Sequence, residues 1–149
     1  RHWHGLCHYM RELDLNKLDG PWIPLLEEAR EVRKRAYCPY SEFQVGAALQ
    51  YVDGEIVTGA NVENAAYGST ICAERSALVA ANALGLREFS LLVVSVVGEP
   101  AAPCGACRQM LHEFAARADV EVEILLHGEG CGTVRLTSIA ELLPHGFDL

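Results

Sequence analysis

The segment from Leu91 to Val97 constrains the fold most, because it is an almost continuous run of leucine and valine. A β-branched apolar run of this kind suits a strand that is buried on both faces of a sheet. Patterns rich in alanine and leucine stand on either side of it, from Ile71 to Leu84 and from Gly105 to Ala116, and they predict helices. Strands that alternate with helices in this way indicate a layered α/β domain.

Two further strands form a predicted hairpin earlier in the chain. Residues 45–52 and 55–62 are separated by Asp53-Gly54, a dipeptide typical of tight β-turns. An amphipathic helix from Trp22 to Ala36 precedes them, and strands near 120–126 and 133–136 and a short helix near 138–143 follow. We therefore predict an α/β fold in which a mixed sheet of about five strands is covered by helices.

A length of 149 residues fits one domain. We assign residues 19–149 to this domain and residues 1–18 to an N-terminal extension of uncertain status, for which we expect a solvated tail. The formal net charge of −8 disfavours nucleic acid as a partner. No apolar run reaches the length that spans a bilayer and no segment has the pattern of a signal peptide, so we expect a cytoplasmic protein with no membrane partner.

Three cysteines, Cys72, Cys104 and Cys107, stand at the predicted starts of helices. The N–H groups of a helix N-terminus stabilise the thiolate, which is the form that binds zinc. A structural zinc site is usually closed by four protein ligands, whereas a catalytic site keeps three and leaves a position for water. A redox pair is a further alternative for the C-x-x-C of Cys104 and Cys107. The candidates for a fourth ligand are Cys131, His112 and His127.

Glu74 shifts the balance towards catalysis. It lies two residues after Cys72, where a carboxylate can approach a metal-bound water and take its proton without ligating the metal. The alternative is that Glu74 only stabilises the helix N-terminus by its charge. Arg75 has an electrostatic reason to be there, because three thiolates and one Zn²⁺ leave a net negative charge that hydrogen bonds from an arginine reduce.

This set of residues resembles the zinc-dependent nucleoside and nucleotide deaminases, and more narrowly the small homotetrameric cytidine deaminases. The resemblance runs from about Ala36 to the C-terminus and implies the three-layer α/β/α fold of that family. It rests on the segments Cys38–Ser41, Phe43–Ala48, Asn61–Ala65, Cys72–Arg75, Pro103–Gln109 and Glu141–Pro144.

The resemblance implies a role for each matching residue. Cys72, Cys104 and Cys107 would hold one Zn²⁺ per subunit, and Glu74 would be the proton shuttle. The substrate-binding positions would be Phe43 in the nucleoside pocket, Asn61 and Glu63 at the ribose 3′-hydroxyl, the N–H of Ala65 or Ala66 at the base carbonyl, the carbonyl of Ala102 at the amino group, and Phe147, which would reach across from a neighbouring subunit to stack near the base.

The implied reaction is the hydrolytic deamination of free cytidine and deoxycytidine to uridine and deoxyuridine plus ammonia, in pyrimidine salvage. Hydroxide formed at the zinc would attack C4 while Glu74 carries the protons. Glu63 favours a free nucleoside, because a carboxylate at the 3′-hydroxyl repels a 3′-phosphate. Shared active sites in a homotetramer are implied as well. The alternatives are another amino-substituted substrate on this scaffold, an inactive zinc-stabilised domain, and a thioredoxin-like redox protein.

Overall fold

The computed structural model describes residues 10–149, so that Cys7 and the histidines at positions 2, 4 and 8 lie outside the described residues. The strands are β1 (Arg11–Asp14), β2 (Gly46–Tyr51), β3 (Ile56–Ala60), β4 (Phe89–Val97), β5 (Glu123–Glu129) and β6 (Thr133–Ser138). The α-helices are α1 (Trp22–Arg33), α2 (Ala73–Ala83), α3 (Gly105–Ala118) and α4 (Ile139–Leu142). Short 3-10 turns occupy Leu15–Lys17 and Tyr67–Ser69.

The six strands form one mixed sheet in the order β1-β6-β5-β4-β2-β3. The apolar strand β4 lies in its interior, parallel to β5 and antiparallel to β2. Val93 and Val94 point to opposite faces of the sheet and both are buried. The predicted α/β fold with a mixed sheet covered by helices is therefore confirmed, with one strand more than expected.

Helices cover both faces of the sheet and divide the core into two clusters. Helix α1 packs on one face through Leu25 and Ala29. Helices α2, α3 and α4 cover the other face through Ala77, Leu111 and Ile139. Across the part of the chain that the structure describes, no helix is both long enough and apolar enough to cross a bilayer.

Two glycines let helices lie directly on the hairpin strands. A Cβ atom at Gly59 would collide with the backbone of Ala77 in α2. A Cβ atom at Gly46 would meet the carbonyl oxygen of Ala29 in α1 in the same way. Because these two residues have no side chain, α1 and α2 pack close to the sheet. The close packing of α2 also fixes the position of the N-terminus of this helix.

Helix α1 ends at Arg33 rather than at the predicted Ala36, because the chain must become extended to join the sheet region. Tyr37 donates its N–H to the carbonyl of Asn61 at 2.9 Å and accepts from the N–H of Glu63 at 2.8 Å. This short parallel pairing places the Cys38–Ser41 segment beside the end of β3.

The extra strand β1 comes from the segment for which we expect a solvated tail. Residues Arg11–Asp14 pair antiparallel with β6, and the N–H of Leu15 donates to the carbonyl of Gly132 at 2.9 Å. Leu13 and Leu15 are half-buried against the α1 side of the core. The expectation of a tail is therefore wrong for residues 11–17, because these leucines find apolar partners beside the edge strand. The domain division at residue 18 stays a prediction.

Leu13→Ala is expected to lower the free energy of unfolding by about 1–2 kcal/mol, since a half-buried leucine contributes less than the 2–5 kcal/mol of a fully buried one. Urea denaturation measures the change. Arg11→Ala, at the exposed start of the same strand, is the control and should change this free energy by less than about 0.5 kcal/mol. Equal stability of both variants and the parent would show that β1 is not docked.

Candidate active site

The three cysteines converge at one point on the α2 and α3 side of the sheet. Cys72 directly precedes α2, Cys104 directly precedes α3, and Cys107 lies in the first turn of α3. Their sulfur atoms all lie within 4.8 Å of one another, and the sulfurs of Cys72 and Cys104 are 3.8 Å apart. Tetrahedral zinc with Zn–S bonds of about 2.3 Å places two sulfurs about 3.8 Å apart. These three residues, the sulfur cluster, therefore fit a zinc ion.

The backbone around the sulfur cluster also favours thiolates. Cys72 and Cys104 have extended conformations that end the preceding loops, so that the sulfurs sit at the positive ends of α2 and α3. Hydrogen bonds from Cys107 and Arg75 lower the pKa of the Cys72 thiol. The same bond to Cys72, together with burial, raises the pKa of Cys107. A cation that neutralises all three sulfurs would relieve this competition for one proton.

None of the candidates for a fourth ligand joins the sulfur cluster. His127 is buried elsewhere, with Nδ1 2.9 Å from the hydroxyl of Ser95. The thiol of Cys131 donates to the carbonyl of Gly98 at 3.3 Å, and Nε2 of His112 lies 2.9 Å from Asp148 Oδ1. Among the described residues, the metal-ligating groups that come together are the three cysteines. This set matches the catalytic pattern of three protein ligands.

Glu74 lies in the first turn of α2 and is 5% exposed. Burial raises the pKa of its carboxyl group. Glu74 lines a cavity of about 260 Å³ together with two cysteines of the sulfur cluster, Cys72 and Cys104. The remaining residues around this cavity are Ser41, Phe43, Val45, Asn61, Glu63, Thr70, Ala73, Val94, Val96, Ala101 and Ala102. A group that can carry protons therefore shares one cavity with two of the three proposed metal ligands.

Arg75 contacts the sulfur cluster but is not among the residues that line the cavity. Its Nη2 donates to the Cys72 sulfur at 3.6 Å and to the carbonyl of Thr70 at 3.3 Å. The hydrogen bond to Cys72 raises the pKa of the guanidinium. These contacts agree with the predicted role of Arg75 as a donor to the thiolates.

Asn61 and Glu63 line the cavity, and both hydrogen-bond to the backbone of residues 40–45. Asn61 is buried, accepts from the N–H of Val45 at 2.9 Å and donates to the carbonyl of Phe43 at 2.9 Å. Oε1 of Glu63 accepts from the N–H groups of Tyr40 and Ser41 at 3.0 and 3.1 Å. Hydrogen bonds from Ser41 and Tyr40 lower the pKa of Glu63, and the hydrogen bond with the Ser41 side chain has the largest effect. Both side chains are thus held in place by the backbone. Asn61 keeps a second amide N–H and Glu63 keeps its second carboxylate oxygen for a ligand.

Three of the predicted substrate-binding residues are not among those that line the cavity: Ala65, Ala66 and Phe147. The N–H of Ala66 donates to Oδ1 of Asn64 at 2.9 Å, which leaves Ala65 as the candidate donor to a base. Phe147 is 66% exposed and lies in the C-terminal segment. The Phe147 ring therefore does not contribute to the cavity of its own subunit.

Sequence reasoning missed how Arg108 ties the site together. Its Nε donates to the carbonyl of Pro103 at 2.7 Å and its Nη1 to the carbonyl of Leu142 at 3.0 Å. The loop before Cys104 is thereby joined to the end of α4. Its position directly after Cys107 was the available signal, but the partner carbonyl of Leu142 is 34 residues away.

Comparison with known proteins decides the family. A family model for the cytidine and deoxycytidylate deaminase zinc-binding region matches residues 23–122. The chain belongs to this family. The resemblance found in the sequence is confirmed, and the chain is a zinc-dependent deaminase whose sulfur cluster fits one Zn²⁺ per subunit.

Individual relatives match over most of their length. A cytidine deaminase of Halalkalibacterium halodurans is 46% identical over 124 residues, which are 83% of this chain and 91% of that protein. The crystal structure of cytidine deaminase from Burkholderia pseudomallei has a TM-score of 0.76 at 46% identity, with 84% of this chain and 98% of that chain covered. That from Mycobacterium tuberculosis has a TM-score of 0.70 at 35% identity, with 88% and 100% covered.

Proposed function

We propose that this deaminase converts free cytidine and deoxycytidine to uridine and deoxyuridine by hydrolysis, with release of ammonia. The observation that carries the proposal is the shared cavity, which is lined by the buried Glu74, by two cysteines of the sulfur cluster and by Glu63, whose carboxylate is held by the backbone. Its volume of about 260 Å³ lies below the range of about 300–1,000 Å³ for drug-sized ligands and suits a small molecule.

Glu74 performs the proton transfers in this mechanism. Zn²⁺ on the sulfur cluster supplies, when bound, the Lewis acidity that makes a water molecule lose a proton near neutral pH. The Glu74 carboxylate accepts this proton and delivers it to N3 of the cytosine ring, so that C4 becomes electrophilic and the water oxygen bonds to it. Glu74 then takes the second proton of the same water molecule, from the oxygen now bonded to C4, and passes it to the 4-amino nitrogen, so that the C4–N bond breaks, a C4 carbonyl forms and ammonia leaves. Burial keeps the carboxyl group away from bulk water between these two transfers.

Arg75 reduces the negative charge of three thiolates by donating to the Cys72 sulfur. Arg75→Gln is expected to lower kcat by about tenfold, the lower end of the 10–100-fold loss for residues that bind metal ligands. Steady-state kinetics with cytidine measure this change. Arg87→Gln near the other end of α2 is the matched control, since Arg87 bonds Asn82 on the surface. A kcat equal to the parent's would contradict this role for Arg75.

The ribose is bound by Asn61 and Glu63 and the base by Phe43, the carbonyl of Ala102 and the N–H of Ala65. Support comes from the common cavity of the first four and from the hydrogen bonds that hold Asn61 and Glu63 in place. The free oxygen of Glu63 accepts from a 3′-hydroxyl and repels a 3′-phosphate, which favours a nucleoside over a polynucleotide. The overall charge of −8 acts in the same direction.

The protein assembles as a homotetramer whose subunits complete one another's active sites. Support comes from four apolar side chains near the cavity that are between 40% and 76% exposed: Tyr37, Tyr40, Tyr67 and Ile71. Surfaces of this kind are typical of protein interfaces. Phe147, 66% exposed, stacks near the base of a neighbouring subunit. The physiological role is pyrimidine salvage in the cytoplasm.

The test is the ultraviolet absorbance of cytidine, deoxycytidine and cytidine 3′-phosphate incubated with the zinc-loaded protein. We expect the signal of both nucleosides to fall as uridine and deoxyuridine form, and that of the 3′-phosphate to stay. Stable cytidine absorbance would overturn the proposed reaction. Turnover of the 3′-phosphate at the same rate would overturn the role of Glu63.

A further inference from the structure

The C-terminal segment, residues 144–149, folds back on α3, the helix that follows Cys104. Gln109 binds the backbone of Phe147 on both sides: its Nε2 donates to the carbonyl at 3.0 Å, and its Oε1 accepts from the N–H at 3.4 Å. One helical turn further on, Nε2 of His112 lies 2.9 Å from Oδ1 of Asp148. Polar side chains of α3 therefore bind the backbone of Phe147 and the side chain of Asp148, which follows it.

His112 also occupies the space beside Gly146. A Cβ atom at Gly146 would lie 2.7 Å from Nε2 of the His112 ring, closer than two such atoms can approach. The imidazole, whose side chain is 19% exposed, is thus enclosed by the segment that it binds. Gly146, before Phe147, packs against the His112 ring, and Asp148, after Phe147, is hydrogen-bonded to the same ring.

We propose that His112 is a positioning residue that holds the C-terminal segment so that the Phe147 ring projects towards the substrate of a neighbouring subunit. The proposal rests on the cross-subunit role of Phe147 given above. Phe147 is 66% exposed as a residue although its backbone is hydrogen-bonded to Gln109. A terminal segment fixed before the substrate arrives loses less conformational entropy on binding, so that its aromatic contact contributes more to affinity.

The contacts of His112 are separate from those that hold α3 in the fold. The buried residues of α3 are Cys107, Leu111 and Ala115, whereas His112 reaches the C-terminal segment. His112→Ala therefore leaves the metal ligand and the core of α3 in place. This separation allows positioning to be measured apart from stability.

We expect His112→Ala to raise the KM for cytidine by about three- to tenfold, the range that one aromatic contact contributes, with kcat, zinc content and Tm unchanged. Phe147→Ala should raise KM to the same extent. The double variant His112→Ala/Phe147→Ala should have the KM of Phe147→Ala alone, because His112 acts through that ring. Glu113→Gln, which breaks an exposed ion pair with Arg117 on the same helix, is the control and should keep the parent's KM.

Gly146→Ala tests the same contact from the other side. Its methyl group should displace the segment from the His112 ring and raise KM, whereas adding it to His112→Ala should raise KM no further, because the ring is gone. Additive effects of His112 and Phe147 on KM would overturn the proposal, and so would an unchanged KM in His112→Ala when Phe147→Ala raises it. An active parent with an unchanged KM in Phe147→Ala would overturn the cross-subunit role and this proposal, while the deamination itself would stand.

Discussion

Glu74→Gln is expected to lower kcat for cytidine deamination by about a thousandfold, within the 10²–10⁴ range for loss of a general acid–base group. Glutamine has nearly the same shape as glutamate, so the buried first turn of α2 should be preserved. It cannot accept the proton of the attacking water, and so neither N3 nor the leaving amino group receives one. The decrease of cytidine absorbance over time measures this change.

Zinc content separates a loss of chemistry from a loss of the site in this variant. Glu74 is not among the grouped metal-ligating residues, so Glu74→Gln should bind as much zinc as the parent. Glu113→Gln replaces an exposed glutamate and should keep full kcat. An active Glu74→Gln protein would show that another group carries the protons, and the assignment of Glu74 as proton shuttle would then be wrong.

Cys104→Ala is expected to reduce bound zinc to near zero and kcat below detection. With two sulfurs left, the site keeps too few ligands for tight binding, and the N-terminus of α3 loses its link to α2. Because metal binding contributes to the stability of the folded state, we also expect a lower Tm and less soluble protein. Atomic emission spectroscopy of the purified protein measures the zinc, and thermal unfolding measures the Tm.

Cys131→Ala is the matched control for Cys104→Ala. Cys131 is also a free cysteine, but its thiol bonds only to the carbonyl of Gly98 among the contacts described for it. Zinc content and kcat should therefore equal those of the parent. Full zinc content in Cys104→Ala, or loss of zinc in Cys131→Ala, would mean that the metal is held by a different set of ligands.

Much of the fold could be predicted from the sequence because its signals are local. The apolar run that became β4, the Asp53-Gly54 turn and the alanine-rich pattern of α2 each act within a few residues. Strand β1 could not be predicted in this way, since only four residues pair and their partners in β6 lie more than 100 positions away. The end of α1 depends likewise on the pairing of Tyr37 with Asn61 and Glu63.

The same distinction holds at the site. Cys72, Glu74 and Arg75 are neighbours in sequence, and the C-x-x-C places Cys104 and Cys107 on one helical turn, so each half of the site was predictable. That the two halves meet at one zinc ion followed from the family resemblance, since Cys72 and Cys104 are 32 positions apart. The engagement of Ala66 by Asn64 depends on a turn geometry that the residue types leave open. The binding of Arg108 to Leu142 and of His112 to Asp148 depends on where the chain returns after β6. The partners in these two contacts follow from the whole topology, and the local sequence does not indicate them.

The sulfur cluster has a consequence for the unfolded chain. Its ligands come from two helix starts, and Cys72 and Cys104 are 32 positions apart in sequence. A metal ion on both closes a loop around α2 and β4, much as a covalent cross-link would. By the chain-entropy estimate for cross-links, a loop of this length is worth about 3–4 kcal/mol. The ion that activates water thus also acts as a reversible cross-link, and a chelator should lower the Tm of the protein as well as inactivate it.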